Sequence, residues 1–163
     1  MSDVIIDTNV AVVANRQNAA VVESCISACI DFLVSARSQH VVLLDEGDEI
    51  RAEYARALQQ RRPYELGAQF LVHVLQHQFD PKHVRRVELM KTVGGEFADF
   101  PADAGLAAFD RSDRKFAALA KNTNTPVTNA TDSDWVDFQG QLNVNGIFVD
   151  FLCGCDKLTW FNH

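Results

Sequence analysis

The sequence predicts an α/β fold, a three-layer α/β/α domain with a central, mostly parallel sheet. Short runs of β-branched and apolar residues recur along the chain, and stretches with helical periodicity lie between them. This alternation favours strands joined by helical crossovers, which is the usual route to parallel pairing. The length of 163 residues suits one domain with a sizeable core, so residues 1–163 are predicted as a single domain.

Four short runs are predicted as strands of one sheet. Their apolar, often β-branched residues are typical of strands that are buried on both faces. The runs are residues 3–7, 40–44, 126–129 and 146–150. A further short strand is an open alternative between Val84 and Leu89, ahead of a turn at Gly94 and Gly95.

Five stretches are predicted as helices, because their apolar residues recur at every third or fourth position. They cover residues 10–14, 18–36, 48–60, 66–78 and 112–121. Pro63 interrupts the pattern after the third helix, and Pro81 follows the fourth, so both prolines favour helix ends nearby.

The net charge of −7 counts against broad, nonspecific nucleic-acid binding, since proteins of that kind are usually basic. A metal-dependent nuclease is still compatible with it, because such a site itself carries several carboxylates. No run approaches the roughly 18 apolar residues of a membrane-spanning helix. No basic region followed by an apolar core opens the chain. We therefore expect a cytoplasmic protein without a membrane segment.

The four cysteines allow two interpretations. Cys25, Cys29, Cys153 and Cys155 have spacings that a zinc site could use. However, the first two lie on a helical apolar stripe, and the last two follow an apolar run. Buried, reduced thiols are therefore the preferred prediction.

The first candidate site residue is Asp7, which directly follows the apolar run Val4-Ile5-Ile6. It is therefore placed at the carboxyl end of the first strand, where an open α/β sheet faces its ligand crevice. A carboxylate in that position needs a cation or hydrogen-bond donors, because an unpaired buried charge is costly.

The second candidate is Glu53, on the predicted helix that also contains Ile50 and Ala57. At about 100° per residue, Glu53 lies about 60° from Ile50 and about 40° from Ala57. Glu49 lies about 100° from Ile50 and is predicted to be solvated. Glu53 is thus the acid that the helix directs inward.

The remaining candidates lie in the last third of the chain. Asp113 precedes the apolar residues Phe116 and Ala117 by three and four positions, although an acid in a first helical turn can simply complement the helix dipole. Asp132 and Asp134 follow the strand that ends near Thr128, and either could be the fourth acid. Clustered carboxylates repel unless a cation neutralises them, and hard oxygen ligands suit Mg²⁺ or Mn²⁺.

Four motifs together resemble those of the PIN-domain nucleases in order and spacing. They are Val4-Ile5-Ile6-Asp7-Thr8-Asn9-Val10, Ile50-x-x-Glu53-Tyr54, Asp110-x-x-Asp113-x-x-Phe116-x-x-Leu119-Ala120, and Val127-Thr128 followed by Asp132-x-Asp134-Trp135. The resemblance covers most of the chain. It implies a parallel sheet flanked by helices, a Mg²⁺ or Mn²⁺ site and cleavage of single-stranded RNA.

The resemblance also implies roles for particular residues. It places metal binding and catalysis on Asp7, Glu53, Asp113 and Asp132, with Asp134 competing for the last role and Asn9 and Thr128 in support. Many family members are toxins of bacterial toxin–antitoxin pairs, so an antitoxin partner and a homodimer are left open. This chain departs from the family where Asn129-Ala130-Thr131 separate the strand from Asp132, and where residues 66–108 look longer than in compact members.

Three alternatives compete with the nuclease interpretation. The chain could be a catalytically inactive PIN-like module that binds nucleic acid or protein. It could be an aspartyl-phosphate phosphatase, although Asn9 stands where that chemistry needs a second, titratable acid. His73 and His77 have the i,i+4 spacing of a zinc-binding helix, but no third ligand is apparent from the sequence, so a surface or interface pair is preferred.

Overall fold

The computed structural model describes residues 1–59 and 62–163. Five strands are present in these residues: β1 (Ser2–Ile6), β2 (His40–Asp45), β3 (Val84–Val87), β4 (Val127–Asn129) and β5 (Val149–Phe151). The described helices are α1 (Thr8–Ala14), α2 (Glu23–Gln39), α3 (Glu49–Leu58), α4 (Leu66–His77), α5 (Arg114–Thr123), α6 (Asp134–Asp137) and α7 (Gln139–Val144). Single 3₁₀ turns lie at Ala104–Leu106, Arg111–Asp113 and Lys157–Thr159.

The five strands form one sheet in the order β3-β2-β1-β4-β5, and every pair is parallel. This arrangement confirms the predicted α/β fold with a central parallel sheet. The chain builds outward from β1 through β2 to β3, then returns to the other side of β1 with β4. The strand order therefore reverses between β1 and β4, and such a switch point opens a crevice at the carboxyl ends of the strands.

The central strands are buried on both faces. Ile5, Ile6, Leu43, Leu44 and Val127 have no exposed surface. Helices cover both faces of a parallel sheet, so inward and outward side chains are equally shielded from water. This burial explains why these strands appear in the sequence as continuous apolar runs.

All predicted strand regions contain strands, including the alternative between Val84 and Leu89, which holds β3. The helix predictions differ at their ends. The helix predicted over 18–36 begins only at Glu23, because Val21 instead makes an antiparallel bridge with Phe161. The helix predicted over 48–60 begins at Glu49, where the side chain of Asp45 accepts from two backbone N–H groups, and residue 60 lies outside the described residues.

The prediction of reduced thiols is wrong for Cys25 and Cys153, which form a disulfide between α2 and the segment after β5. Cys29 is a buried free thiol as predicted, whereas Cys155 is exposed. The apolar stripe of α2 predicts that Cys25 is buried, but it does not indicate a partner 128 residues away. Disulfides are typical of proteins in oxidising compartments, so this one does not support a cytoplasmic location. The location stays a prediction.

Within the described part of the chain, each helix is too short or too polar to cross a membrane.

Candidate metal centre

Asp7 lies at the switch point of the sheet, one residue beyond β1. Its backbone N–H donates to the carbonyl of Thr128 on β4 at 3.0 Å, which continues the pairing of the two strands. Its side chain caps α1, because Oδ1 accepts from the backbone N–H of Asn9 at 3.0 Å. Oδ2 accepts from the indole Nε1 of Trp135 at 2.7 Å. Asp7 is only 4% exposed, so these donors hold a nearly buried carboxylate in one orientation.

Burial raises the pKa of Asp7, and the charge of Asp132 raises it further. The hydrogen bonds from Asn9 and Trp135 oppose this shift because they favour the ionised form. The donors around Asp7 therefore compensate its burial only in part. A positive charge beside this carboxylate would supply the stabilisation that the hydrogen bonds do not.

Asp113 is the second buried carboxylate, 8% exposed at the junction between a 3₁₀ turn and α5. It makes no side-chain capping bond to α5, whereas Asp110 caps the preceding turn by accepting from the N–H of Ser112. Burial raises the pKa of Asp113 most. The charges of Asp7 and Asp132 and a side-chain hydrogen bond with Asp132 raise it further. Asp113 is thus more than a first-turn acid, because it faces two other carboxylates.

Three of the predicted acids meet in the structure. Single carboxylate oxygens of Asp7, Asp113 and Asp132 lie within 4.8 Å of one another. Asp113 also belongs to a second set with Asp110 and Asp134, within the same distance. The two acids that compete for the fourth position therefore both approach Asp113, but Asp132 is the one that also approaches Asp7.

A pair of asparagines positions the loop that carries Asp132. The side-chain oxygen of Asn9 accepts from the backbone N–H groups of Ala130 and Thr131, at 3.0 and 2.9 Å. Its Nδ2 donates to Oδ1 of Asn129 at 2.8 Å. Asn129, which has no exposed surface, in turn accepts from the N–H of Asp132 and donates to its carbonyl. Asn9 therefore fixes the shape of this loop, and its supporting role at a metal site stays a prediction.

Thr128 lies beside the centre in β4 and is 3% exposed. Its contact with Asp7 is made by the backbone carbonyl rather than by the hydroxyl. The position of Asp7 therefore depends on the strand pairing at residue 128.

Glu53 is not a member of either acid set, although it lies next to the centre, beside Thr8. Nζ of Lys115 lies 2.8 Å from its Oε1, and the hydroxyl of Thr8 donates to its Oε2. Lys115 also donates to the carbonyl of Ser112 and is 7% exposed, so this ion pair is largely shielded from water. Among the described residues, Glu53 joins neither set of converging acids with Asp7 or Asp113, and its carboxylate pairs with Lys115 instead. Its role in metal binding stays a prediction.

Glu49 agrees with the expected orientation on α3. Its side chain is 43% exposed and pairs with Lys91 at 3.0 Å, whereas the side chain of Glu53 is 21% exposed. The helical angles therefore separated the outward acid from the inward one. They could not reveal that the inward acid meets a lysine.

Sequence reasoning missed three residues that shape this centre. Lys115 follows Asp113 by two positions, but its pairing with α3 depends on how two helices pack. Asn129 lies in the spacer before Asp132, and an asparagine at a strand end is a signal for a side chain that organises a loop. Trp135 closes the fourth motif, and nothing in the sequence indicates that its N–H donates to Asp7.

No protein-family model, curated protein or solved structure matches this chain. The function must therefore be argued from the site itself and from the order of its motifs.

Proposed function

We propose that the chain is a Mg²⁺- or Mn²⁺-dependent endoribonuclease that cleaves single-stranded RNA. The observation that carries this proposal is the meeting of Asp7, Asp113 and Asp132 at the switch point of a parallel sheet. These acids come from three distant segments, and the fold brings them together against their mutual repulsion. The preference for RNA follows from the resemblance of the four motifs to PIN-domain nucleases.

The donor set fits a hard divalent cation. Every candidate ligand is a carboxylate oxygen, which Mg²⁺ and Mn²⁺ prefer over softer metals. Asp7 and Asp113 would hold the ion from the buried side and Asp132 from the half-buried loop. When bound, such an ion supplies a polarised water and stabilises negative charge on a phosphodiester. Metal ligands must be deprotonated, so binding would release the proton that burial favours on Asp113.

Residues around the acids would act as positioning residues. Asn9 and Asn129 fix the loop of Asp132, and Trp135 fixes one oxygen of Asp7. Lys115 holds Glu53 beside Thr8, at the margin of the centre. In this proposal Lys115 keeps the Glu53 carboxylate close to the centre and offsets its negative charge.

The same ion pair supports an alternative, which is a catalytically inactive binding module. A lysine that satisfies Glu53 leaves three acids for the metal rather than four. Nuclease and module differ in one observable property, which is metal-dependent cleavage. The aspartyl-phosphate phosphatase receives no such support. Asn9 stands where that chemistry needs a general acid, and both its amide oxygen and its amide nitrogen make hydrogen bonds that hold the loop.

The deciding experiment is cleavage of a fluorescently labelled single-stranded RNA in Mn²⁺, in Mg²⁺ and in EDTA. We expect cleavage by the wild type with either metal and none in EDTA. Asp7→Asn should lose activity by more than about 100-fold, since even outer-shell changes cost 10–100-fold in metal sites. Glu49→Gln is the matched control, because that exposed acid pairs with Lys91 outside the centre.

The outcomes separate the proposals. Equal activity of Asp7→Asn and the wild type would overturn a metal centre at this position. Mn²⁺ binding by the wild type without cleavage of any RNA would favour the binding module. An antitoxin partner and a homodimer stay predictions from the resemblance, and copurification of a partner or sedimentation of the purified chain would test them.

A further inference from the structure

A second group of metal-binding side chains lies where α4 ends and the chain turns into β3. The structure adds two residues, Asp80 and His83, to the histidine pair seen in the sequence. One ligand atom each from His77, Asp80 and His83 lies within 4.8 Å of the other two. The ring centroids of His77 and His83 are 4.4 Å apart, and that of His73 lies 4.8 Å from His77 and 5.6 Å from His83.

The backbone of the turn fixes this arrangement. The N–H of Asp80 donates to the carbonyl of His77 at 2.8 Å. The carbonyl of Asp80 then accepts from the N–H groups of His83 and Val84, at 3.0 and 2.9 Å. Oδ1 of Asp80 accepts from the N–H of Lys82 at 3.1 Å. The spacing His77-x-x-Asp80-x-x-His83 is therefore converted by one compact turn into a convergent set of ligands.

Two of the imidazoles contain a buried nitrogen without a hydrogen-bond partner among the described residues. These nitrogens are Nε2 of His73 and Nδ1 of His83. His73 is 8% exposed, so its ring is more than nine-tenths buried. Burying an unpaired polar atom costs about 1–3 kcal/mol, and such atoms in native structures call for an explanation such as an ion.

Ring packing alone is the simpler alternative for three adjacent histidines. Packing would explain the contacts between rings, but it leaves the two buried nitrogens unpaired. It also does not account for Asp80, whose Oδ2 lies 4.0 Å from Nε2 of His83. A cation that accepts one lone pair from each of His77 and His83 and one from Asp80 would bind where their ligand atoms converge and would offset the charge of the carboxylate.

We propose that His77, Asp80 and His83 bind a transition-metal ion of the zinc class, and that the buried ring of His73 packs against this site. Imidazole nitrogens suit Zn²⁺, Ni²⁺ and Cu²⁺, and Zn²⁺ is commonly held by four nitrogen, oxygen or sulfur ligands. All four residues belong to the described part of the chain, and the ion would tie the end of α4 to the start of β3. The site would therefore be structural rather than catalytic.

This histidine site is independent of the proposed nuclease. Asp7 and Asp132 follow the carboxyl ends of β1 and β4, whereas His83 directly precedes the amino end of β3. Because all strands are parallel, the two sites lie at opposite ends of the sheet. Failure of one site in an experiment does not imply failure of the other.

Calorimetric titration of the full chain with Zn²⁺, in excess Mg²⁺ to occupy the carboxylates, tests the site. We expect one tight equivalent of Zn²⁺ in the wild type. The double variant His77→Gln/His83→Gln should lose more than about 100-fold in affinity, because even partners of metal ligands contribute 10–100-fold. His163→Gln is the control, a histidine outside the proposed site whose ring lies 3.0 Å from the carbonyl oxygen of Leu158.

A second measurement does not depend on the folding of any variant. Imidazole NMR signals of the wild type should shift for His73, His77 and His83 on addition of Zn²⁺, and those of His40 and His163 should not. Unchanged affinity in the double variant, or shifts confined to His40 and His163, would overturn the proposal. Thiolate absorption with Co²⁺ as the probe would place the metal on the cysteines and would overturn it as well.

Discussion

The two candidate metal sites differ in how the chain builds them. The carboxylate centre joins residues 7, 113 and 132, so it exists only when three distant segments have packed together. The histidine site comes from residues 73–83, one helix end and the following turn. One site offers hard oxygen ligands and the other mainly nitrogen ligands. Sequence motifs can therefore predict the carboxylate centre, because two of its acids follow the apolar runs of strands. The histidine site depends on the geometry of one turn, which such motifs do not describe.

The largest expected effect is that each variant loses the stabilisation by one metal and keeps the stabilisation by the other. Mn²⁺ that binds only the folded chain stabilises it by RT ln(1 + [L]/Kd), about 2.7 kcal/mol at 100 Kd. We expect Asp113→Asn to lose most of this Mn²⁺ stabilisation and to keep that of Zn²⁺. His77→Gln/His83→Gln should show the reverse. Thermal melts of both variants with each metal provide the measurement, and loss of both responses in either variant would break the comparison.

The second effect concerns the loop that completes the carboxylate centre. Asn9→Ala removes the acceptor for two backbone N–H groups and the partner of the buried Asn129. Each unsatisfied buried group costs about 1–3 kcal/mol, so we expect a loss of roughly 2–3 kcal/mol in the free energy of unfolding. Urea denaturation would measure it. Asn18→Ala is the matched control, because the side chain of Asn18 accepts from the exposed N–H of Ala20, and a loss of equal size there would contradict the assignment.

Features that follow from local sequence patterns were predicted, whereas contacts between distant segments were not. The strands were predicted because Ile5, Ile6 and Leu43 lie in a sheet buried on both faces, which makes the apolar run itself a signal. Asp7 was predicted for the same reason, since it follows such a run. The partner of Glu53 was not predicted, because Lys115 reaches it only through the packing of α5 against α3.

The local site and the disulfide were missed for different reasons. Asp80 and His83 are close to His77 in sequence, but the helical pattern ends at α4 and says nothing about the turn that follows. Cys153 is 128 residues from Cys25, and no periodicity links the two. A turn fixed by backbone hydrogen bonds and a long-range covalent link both lie outside what apolar spacing reports.

The third effect is a pH dependence of opposite sign at the two sites. Burial first, and then the facing carboxylates of Asp7, Asp132 and Asp110, raise the pKa of Asp113 in the metal-free protein. The folded state therefore holds a proton that the unfolded state releases. The stability from this group is fully present below the unfolded pKa and is lost as pH rises through the folded pKa, by at most about 1.4 kcal/mol per pH unit. Zn²⁺ binding should instead weaken as pH falls, because imidazole ligands must be neutral.

Denaturation in EDTA across neutral pH measures the first of these changes, and Asp113→Asn is its control. The variant should show a flatter dependence than the wild type, with the difference growing as pH rises. Zn²⁺ titrations over the same range measure the second change. Identical slopes for wild type and Asp113→Asn would mean that this carboxyl is not held protonated by the fold.

The smallest expected effect distinguishes the two acids that follow β4. Asp132 approaches both Asp7 and Asp113, whereas Asp134 meets Asp113 and Asp110 and donates its backbone N–H to Oδ1 of Asp132 at 3.0 Å. Asp132→Asn should therefore remove most of the Mn²⁺ response. Asp134→Asn should retain it and change the metal-free stability by only about 0.5 kcal/mol, at the lower end of what single substitutions do. Burial first, and then the charge of Asp132, raise the pKa of Asp134, so this small change should be stabilising. Melting curves of the two variants with and without Mn²⁺ decide the assignment. An Mn²⁺ response that disappears with Asp134→Asn and survives Asp132→Asn would move the centre to the set formed by Asp110, Asp113 and Asp134.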